Sequence, residues 1–191
     1  MNWGDRYASD DTPWDLGRVH PELEFRLRGD LRALGEDPRA LVPGCGRGHD
    51  AAALGAAGWK VTAIDAVEEL RQAVESRLEP AGGEFVVGDA LSHEGGPFDL
   101  LWDHTFFCAI DPAERHRYGD MARRLVRSGG KVALLVYPVG RPYEHGGPPW
   151  AMSADQVADV LRAEFDLVQD EPVKHPGHKS WPERWALFVR K

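Results

Sequence analysis

Cysteine is scarce in this sequence. The 191 residues include two, Cys45 and Cys108, far apart. That is too few for a disulfide framework, and free thiols fit a reducing cytoplasm. Long apolar runs are also missing, so no bilayer span is expected. No basic start followed by an apolar stretch marks a secretory leader. A cytoplasmic protein is the expectation. Basic excess is absent as well: 23 Lys and Arg stand against 31 Asp and Glu, a net charge of -8 and a pI near 5.5. This argues against a nucleic-acid surface, which needs a basic patch. There are no internal repeats, no low-complexity segments and no Cys/His cluster at metal-ligand spacing, so no metal is expected. What remains is a chain with 42% apolar residues, long enough for one α/β domain over residues 1–191 with a real core. A monomer acting on a small molecule is the expected assembly.

The rest of the chain is organised around residues 40–50, ALVPGCGRGHD. A short apolar run meets glycines at 44, 46 and 48, and a helix-compatible stretch follows. This reads as strand, tight loop, helix. Glycine lets the backbone approach a ligand closely, and a loop feeding a helix start offers free N–H groups to an anion. Dinucleotide folds use G-x-G-x-x-G, but His49 stands where that pattern needs its last glycine. The form G-x-G-x-G resembles that of S-adenosylmethionine (AdoMet) methyltransferases, whose anion is a carboxylate and not a pyrophosphate. An ordinary glycine-rich turn is the alternative.

Further along, Trp59, Val61, Ala63 and Ile64 read as a second strand ending in Asp65, about 20 residues beyond the first loop glycine, where a ribose-binding carboxylate belongs. The competing role for Asp65 is capping a helix over 67–78, with Glu68 completing a capping box. Residues 84–87 and 98–103 read as strands, and the apolar run 132–136 as a central buried one. Leu23, Leu27, Leu31 and Leu34 recur at helical spacing over 21–34. Asp111-Pro112-Ala113-Glu114 opens a helix running to about 127, and Ser153 with Gln156 caps another. Residues 165–168 and 185–189 are joined by a connector containing Pro176-Gly177, too short for a crossover helix, which predicts an antiparallel hairpin. The fold class expected is α/β, a doubly wound, Rossmann-like, mostly parallel sheet with a reversed C-terminal strand. Residues 1–19 hold Trp3, Tyr7 and Trp14, large apolar rings that should cover something.

The motifs TPWD at 12–15, VPGCGRGHD at 42–50, DHTFFCAI at 103–110 and GGPP at 146–149 resemble, in order, the thiopurine S-methyltransferase family in its wide sense, including thiol and halide methyltransferases. Arg184-Trp185 resembles a pair near that family's C-terminus. The resemblance implies a class I AdoMet-dependent methyltransferase whose product is S-adenosylhomocysteine. It implies Trp14, Gly44, Cys45, Gly46, Asp65, Asp89, Ala90, Asp103, His104 and Thr105 at the cofactor. The N-terminal segment 1–19 would fold over that cofactor.

The implied reaction moves a methyl group from a sulfonium to a small soft nucleophile, a thiol or thiopurine sulfur. The alternatives are halide, bisulfide or tellurite as acceptor, or a protein that binds AdoMet without turnover. An anionic nucleophile and a cationic donor cancel charge as they react, so a dry aromatic pocket and good positioning suffice. Phe106, Phe107, Tyr137, Tyr143 and Trp150 are candidates for its walls. His104 or Tyr137 could relay a proton, and Arg184 or Arg141 could hold an anionic part of the substrate. No His–Asp pairing stands out in the sequence: Asp103 and His104 are adjacent on a strand and point to opposite faces. The rate is therefore expected to follow the nucleophile's own ionisation.

Overall fold

The computed structural model describes residues 2–191. Seven strands form one sheet: β1 (Arg39–Pro43), β2 (Lys60–Asp65), β3 (Glu84–Val87), β4 (Phe98–His104), β5 (Val126–Val136), β6 (Phe165–Pro172) and β7 (Arg184–Arg190). Their order is β3-β2-β1-β4-β5-β7-β6. Strands β1 to β5 pair in parallel, and β7 runs antiparallel to both β5 and β6. The doubly wound sheet with one reversed strand is the architecture the sequence predicts.

Strand alternation divides the core between the two faces. Leu41, Ile64, Leu101, Val132 and Leu134 point to one side, where α5 (His116–Leu125) and α6 (Ala154–Leu161) supply Tyr118, Met121, Leu125, Val157 and Leu161. Ala40, Val42, Ala63, Leu100, Trp102, Ala133 and Leu135 point to the other. There they meet Leu23 of α2 (Pro21–Arg26), Ala51 and Leu54 of α3 (His49–Ala56), and Val74 and Leu78 of α4 (Arg71–Leu78). The run 132–136 is buried throughout because β5 is covered on both faces.

Three boundaries differ from the sequence reading. The helix expected over 21–34 stops at Arg26. Gly29 follows closely, a poor helix former, and the backbone folds back so that the N–H groups of Gly29 and Leu31 both donate to the Arg26 carbonyl. Leu31 is thereby buried and Leu34 left exposed. The helix expected to 127 ends at Leu125, and β5 begins at once. The segment after Asp65 is a 3-10 turn (Glu68–Leu70) leading into α4. Glu68 pairs with Arg71 there, at 2.6 Å. No helix among the described residues is long and apolar enough to cross a membrane.

The N-terminal α1 (Trp3–Ala8) carries Trp3 and Tyr7 against Trp14, with ring centroids 5.3 and 5.8 Å apart, edge to face. Trp14 Nε1 donates to the Tyr7 hydroxyl at 3.3 Å.

Candidate active site

The carboxyl ends of β1, β2 and β4 open onto a cavity of about 640 Å3, within the range usual for small-molecule sites. Gly44, Asp65, Ala66, Asp89, Ala90 and Thr105 line one part of it, Trp3, Tyr7 and Trp14 roof it, and Phe106, Tyr137, Arg141, Pro149, Ser180 and Trp181 form the far wall. A smaller pocket adjoins it behind the glycine loop, lined by Cys45, Gly46, Asp50, Trp102 and His104 together with Tyr7 and Trp14.

The loop is shaped for close approach. Gly44 and Gly46 have φ of 59° and 53°, left-handed values that favour glycine. A Cβ on Gly44 would lie 2.6 Å from Phe106 Cδ2, and one on Gly46 would lie 2.8 Å from the Tyr7 hydroxyl. The loop is therefore held between Phe106 and the N-terminal roof.

Asp65 ties the loop to the second strand. One carboxylate oxygen accepts the Gly46 N–H at 2.9 Å and the other accepts the Val67 N–H at 3.1 Å. Burial pushes its carboxyl above the usual range against those hydrogen bonds. Asp89 accepts three hydrogen bonds, from the Leu91 N–H, the Ser92 hydroxyl and Arg117. Burial opposes its charge, but Arg117 outweighs it and holds the carboxyl low.

Behind the smaller pocket, Asp50 of α3 is saturated with donors. It accepts the His20 N–H at 2.8 Å, Trp102 Nε1 at 3.0 Å and His104 Nδ1 at 2.8 Å. Burial opposes its ionisation, and His104 outweighs it. His104 Nε2 lies 2.9 Å from His178 Nε2. The sequence reading finds no His–Asp pair; the structure supplies one from residues far apart in the chain, so the premise for expecting no enzyme base fails.

The profile of the family described as Thiopurine S-methyltransferase matches residues 1–186. The chain belongs to that family. A probable thiol methyltransferase 2 of Arabidopsis thaliana is 32% identical over 165 residues, covering 83% of this chain and 70% of that protein. The thiopurine S-methyltransferase of Pseudomonas fluorescens (strain SBW25) is 29% identical over 183 residues, covering 86% and 83%. Among solved structures, a Burkholderia thailandensis 1,6-didemethyltoxoflavin-N1-methyltransferase with bound S-adenosylhomocysteine superposes with a TM-score of 0.74 at 23% identity, covering 98% of this chain and 84% of that one. The protein is a class I AdoMet-dependent methyltransferase acting on a small molecule.

Measured against what the family resemblance implies, the site residues fall into three groups. Trp14, Gly44, Asp65, Asp89, Ala90, Thr105, Phe106 and Tyr137 lie on the main cavity. Cys45, Gly46 and His104 lie on the smaller pocket beside the loop. Asp103, Phe107 and Arg184 do neither. Asp103 is buried under the 105–107 turn, where it accepts the N–H groups of Phe106 and Phe107. Burial pushes its carboxyl up to about 6. Phe107 packs edge-to-face on Tyr118 inside the core, at 5.0 Å. Arg184 starts β7 and pairs with Asp170 across the hairpin at 2.8 Å. Of the other aromatic candidates, Tyr143 is exposed and Trp150 stacks under Gly147.

Sequence reasoning passed over Ser180 and Trp181, which line the far wall, and His178 behind it. All three sit in the β6–β7 connector, read as a plain turn because of Pro176-Gly177. Their signal was composition: a Trp and a His are costly residues to leave on a solvent turn. Arg141 also serves the wall, donating to the carbonyls of His145, Gly146 and Pro149 and so fastening the GGPP loop.

The roof makes a prediction. Trp3, Tyr7 and Trp14 line the cavity, and Tyr7 and Trp14 also line the pocket beside the loop, so cofactor binding should slow amide exchange over residues 3–14. Hydrogen exchange with and without S-adenosylhomocysteine measures this; identical protection in both states would remove the roof from the binding site.

Proposed function

We propose that the methyl acceptor is the sulfur of a small thiol. The observation that supports this reading is the aromatic and proline surface that Phe106, Tyr137, Pro148, Pro149 and Trp181 present to the cavity, which Asp111 and Glu114 also line. Polarisable sulfur suits aromatic faces, and a cationic methyl donor beside them is favoured by cation–π attraction. The relatives named for thiol methylation agree with this choice.

The cavity fits AdoMet on its other side. Asp65 has two carboxylate oxygens at the end of β2 for ribose hydroxyls. The Gly44–Gly46 turn offers backbone where a side chain would collide. Ala90 and Asp89 close the third side. AdoMet supplies an electrophilic methyl on a sulfonium sulfur; the protein's part is to hold it, exclude water and orient the acceptor. Burial raises the Tyr137 hydroxyl above its usual range, with Cys108 and Glu183 adding to it. Tyr137 is therefore a hydrogen-bond donor at neutral pH and not a phenolate base.

The test is methyl turnover with AdoMet on a panel of 2-mercaptoethanol, 4-nitrothiophenol, 6-mercaptopurine, thiocyanate, iodide and an aliphatic amine. Thiols should give the highest kcat/KM and the amine none. Iodide or thiocyanate outrunning every thiol would replace the thiol by a soft anion. Tight AdoMet binding with no turnover on any acceptor would leave a binding protein.

A further inference from the structure

Three histidines that the chain keeps far apart meet behind the far wall: His20 just before α2, His104 at the end of β4 and His178 in the β6–β7 connector. Their nearest nitrogens lie within 4.8 Å of one another. The hydrogen bonds already account for this cluster without an ion. His20 Nδ1 accepts the Glu22 N–H at 3.1 Å, so its hydrogen is on Nε2, which faces Glu183 at 3.2 Å. Glu183 also accepts the N–H groups of Gly177 and His178, both at 2.9 Å. That leaves Asp50, His104 and His178 in a line.

We propose that Asp50, His104 and His178 form a relay that takes up the proton of a neutral thiol as its sulfur is methylated, with Nδ1 of His178 as the port. The inference rests on the thiol reading above and adds the fate of the proton.

The geometry fixes where each hydrogen sits. Asp50 is filled by three N–H donors, so His104 Nδ1 carries a hydrogen. One more hydrogen lies between the two Nε2 atoms 2.9 Å apart, on either ring. His178 Nδ1 makes no hydrogen bond with any described residue. In the empty state the shared hydrogen is on His178 Nε2. In the loaded state a proton has entered at His178 Nδ1 and the shared hydrogen has moved to His104 Nε2. Both states keep every bond in the line intact, so loading costs no hydrogen bond. The port lies one residue behind the cavity: the buried His178 ring stacks on Tyr137 at 4.3 Å and 26°, and Tyr137 and Ser180 line the cavity.

The step balances. A sulfur lone pair forms the S–CH3 bond as the bond from that methyl carbon to the donor sulfur breaks. The S–H proton passes to His178 Nδ1 through bridging water, and His104 becomes an imidazolium against Asp50. The positive charge lost at the donor reappears in the relay and leaves by the same port.

The charged groups around the line set its pH range. Burial disfavours a charged His104, but Asp50, Glu183 and Asp103 outweigh it and raise its affinity for a proton. His178 is held down to about 4 by burial, by His104 and by His20. The line therefore stores one proton near neutrality and not two. Below the raised value for His104 the relay is already loaded and cannot accept. The rate with a neutral thiol should fall with decreasing pH through an inflection on the alkaline side of an ordinary histidine, about 6.5.

The experiment compares wild type, H178Q and D50N, measuring kcat/KM against pH with 2-mercaptoethanol and with 4-nitrothiophenol. The first acceptor brings a proton; the second is ionised throughout and brings none. H178Q should lose about 100-fold with 2-mercaptoethanol, lose the inflection, and lose far less with 4-nitrothiophenol, with circular dichroism checking that it is folded. D50N should move the inflection to lower pH, since an imidazolium loses its anion. Equal losses on both thiols would mean that His178 only supports the wall. An inflection surviving in H178Q, or one that tracks each thiol's own ionisation, would also overturn the relay. Should wild type bind AdoMet yet methylate neither thiol, the thiol reading itself fails. Proton NMR titration of the histidines then decides the relay separately: H178Q must shift the His104 titration, and an unchanged curve refutes the link.

Discussion

Asp65→Ala binds AdoMet about 10- to 150-fold more weakly than wild type and stays folded. The carboxylate closes β2 where a ribose would lie, and it is held there by two backbone N–H groups, from Gly46 and Val67. Charge-assisted hydrogen bonds are worth about 1.5–3 kcal/mol, which converts to that range of affinity. The loss has two sources: the acceptor for the ribose hydroxyls goes, and the glycine loop is untied from the strand. Asp65→Asn separates them, because its amide oxygen still accepts one N–H while the charge is gone. Titration calorimetry with AdoMet and S-adenosylhomocysteine gives the affinities, and far-ultraviolet circular dichroism checks the fold. Unchanged affinity in a folded Ala variant would leave Asp65 as a loop tie alone.

The sequence presents Asp65 as a ribose ligand or a helix cap, and the structure shows why both signals were present. A residue at the carboxyl end of a parallel strand faces the ligand crevice and also precedes the next helix. One oxygen accepts the Val67 N–H and the other the Gly46 N–H, so the turn after β2 and the glycine loop share one side chain. The glycine loop, the run 132–136 and the terminal hairpin were legible for a similar reason: each is written in local chemistry, a backbone need or a period. Arg184 and Phe107 were misplaced because the sequence gives adjacency and not direction. Phe106 faces the loop while its neighbour Phe107 turns inward to Tyr118, and only the 3-10 turn after Thr105 decides which is which. The relay was invisible for a stronger reason. Asp50 and His104 are 54 positions apart, and His178 is a further 74. Nothing local marks them, and Asp50 reads as an acidic residue in the first turn of a helix, where such residues are common.

That pairing also changes the expected pH behaviour. Without an enzyme base, the profile would move with each acceptor's ionisation. With one, protonated acceptors share an inflection set by Asp50 and His104, while ionised acceptors remain free of it. Cys108 does not enter this balance. It lines the cavity, but burial raises its thiol far above the neutral range, so it stays protonated.

Arg26→Ala is expected to carry the largest stability cost of any single change considered. The Arg26 side chain is buried and bonds three carboxylates: Glu22 at 2.8 Å, Asp30 at 2.7 Å and Glu171 at 2.6 Å. Its guanidinium also lies 4.4 Å from the Trp185 ring centroid. Glu22 is fully buried, so removing Arg26 leaves a carboxylate without its counter-ion in the interior. Breaking such a pair costs about 3–5 kcal/mol. For a chain of this size that lowers Tm by roughly 6–20 °C. The damage also reaches the site. The other oxygen of Glu22 accepts the N–H groups of Lys174 and His175, both at 2.8 Å. Those residues begin the connector that carries His178, Ser180 and Trp181. Once the anchor loosens, KM for the acceptor should rise before AdoMet affinity changes, because the glycine loop and Asp65 hang from the other strands. Arg26→Met tests the electrostatic part: it refills much of the volume but leaves Glu22 unpaired, so it should remain strongly destabilised. Adding Glu22→Gln removes the orphan charge, and the double variant should recover part of the loss, a non-additivity expected for residues in contact. Thermal unfolding of the three variants measures this. A single Ala variant within about 1 kcal/mol of wild type, the ordinary worth of an exposed pair, would show that the cluster is screened and that the connector is held by something else.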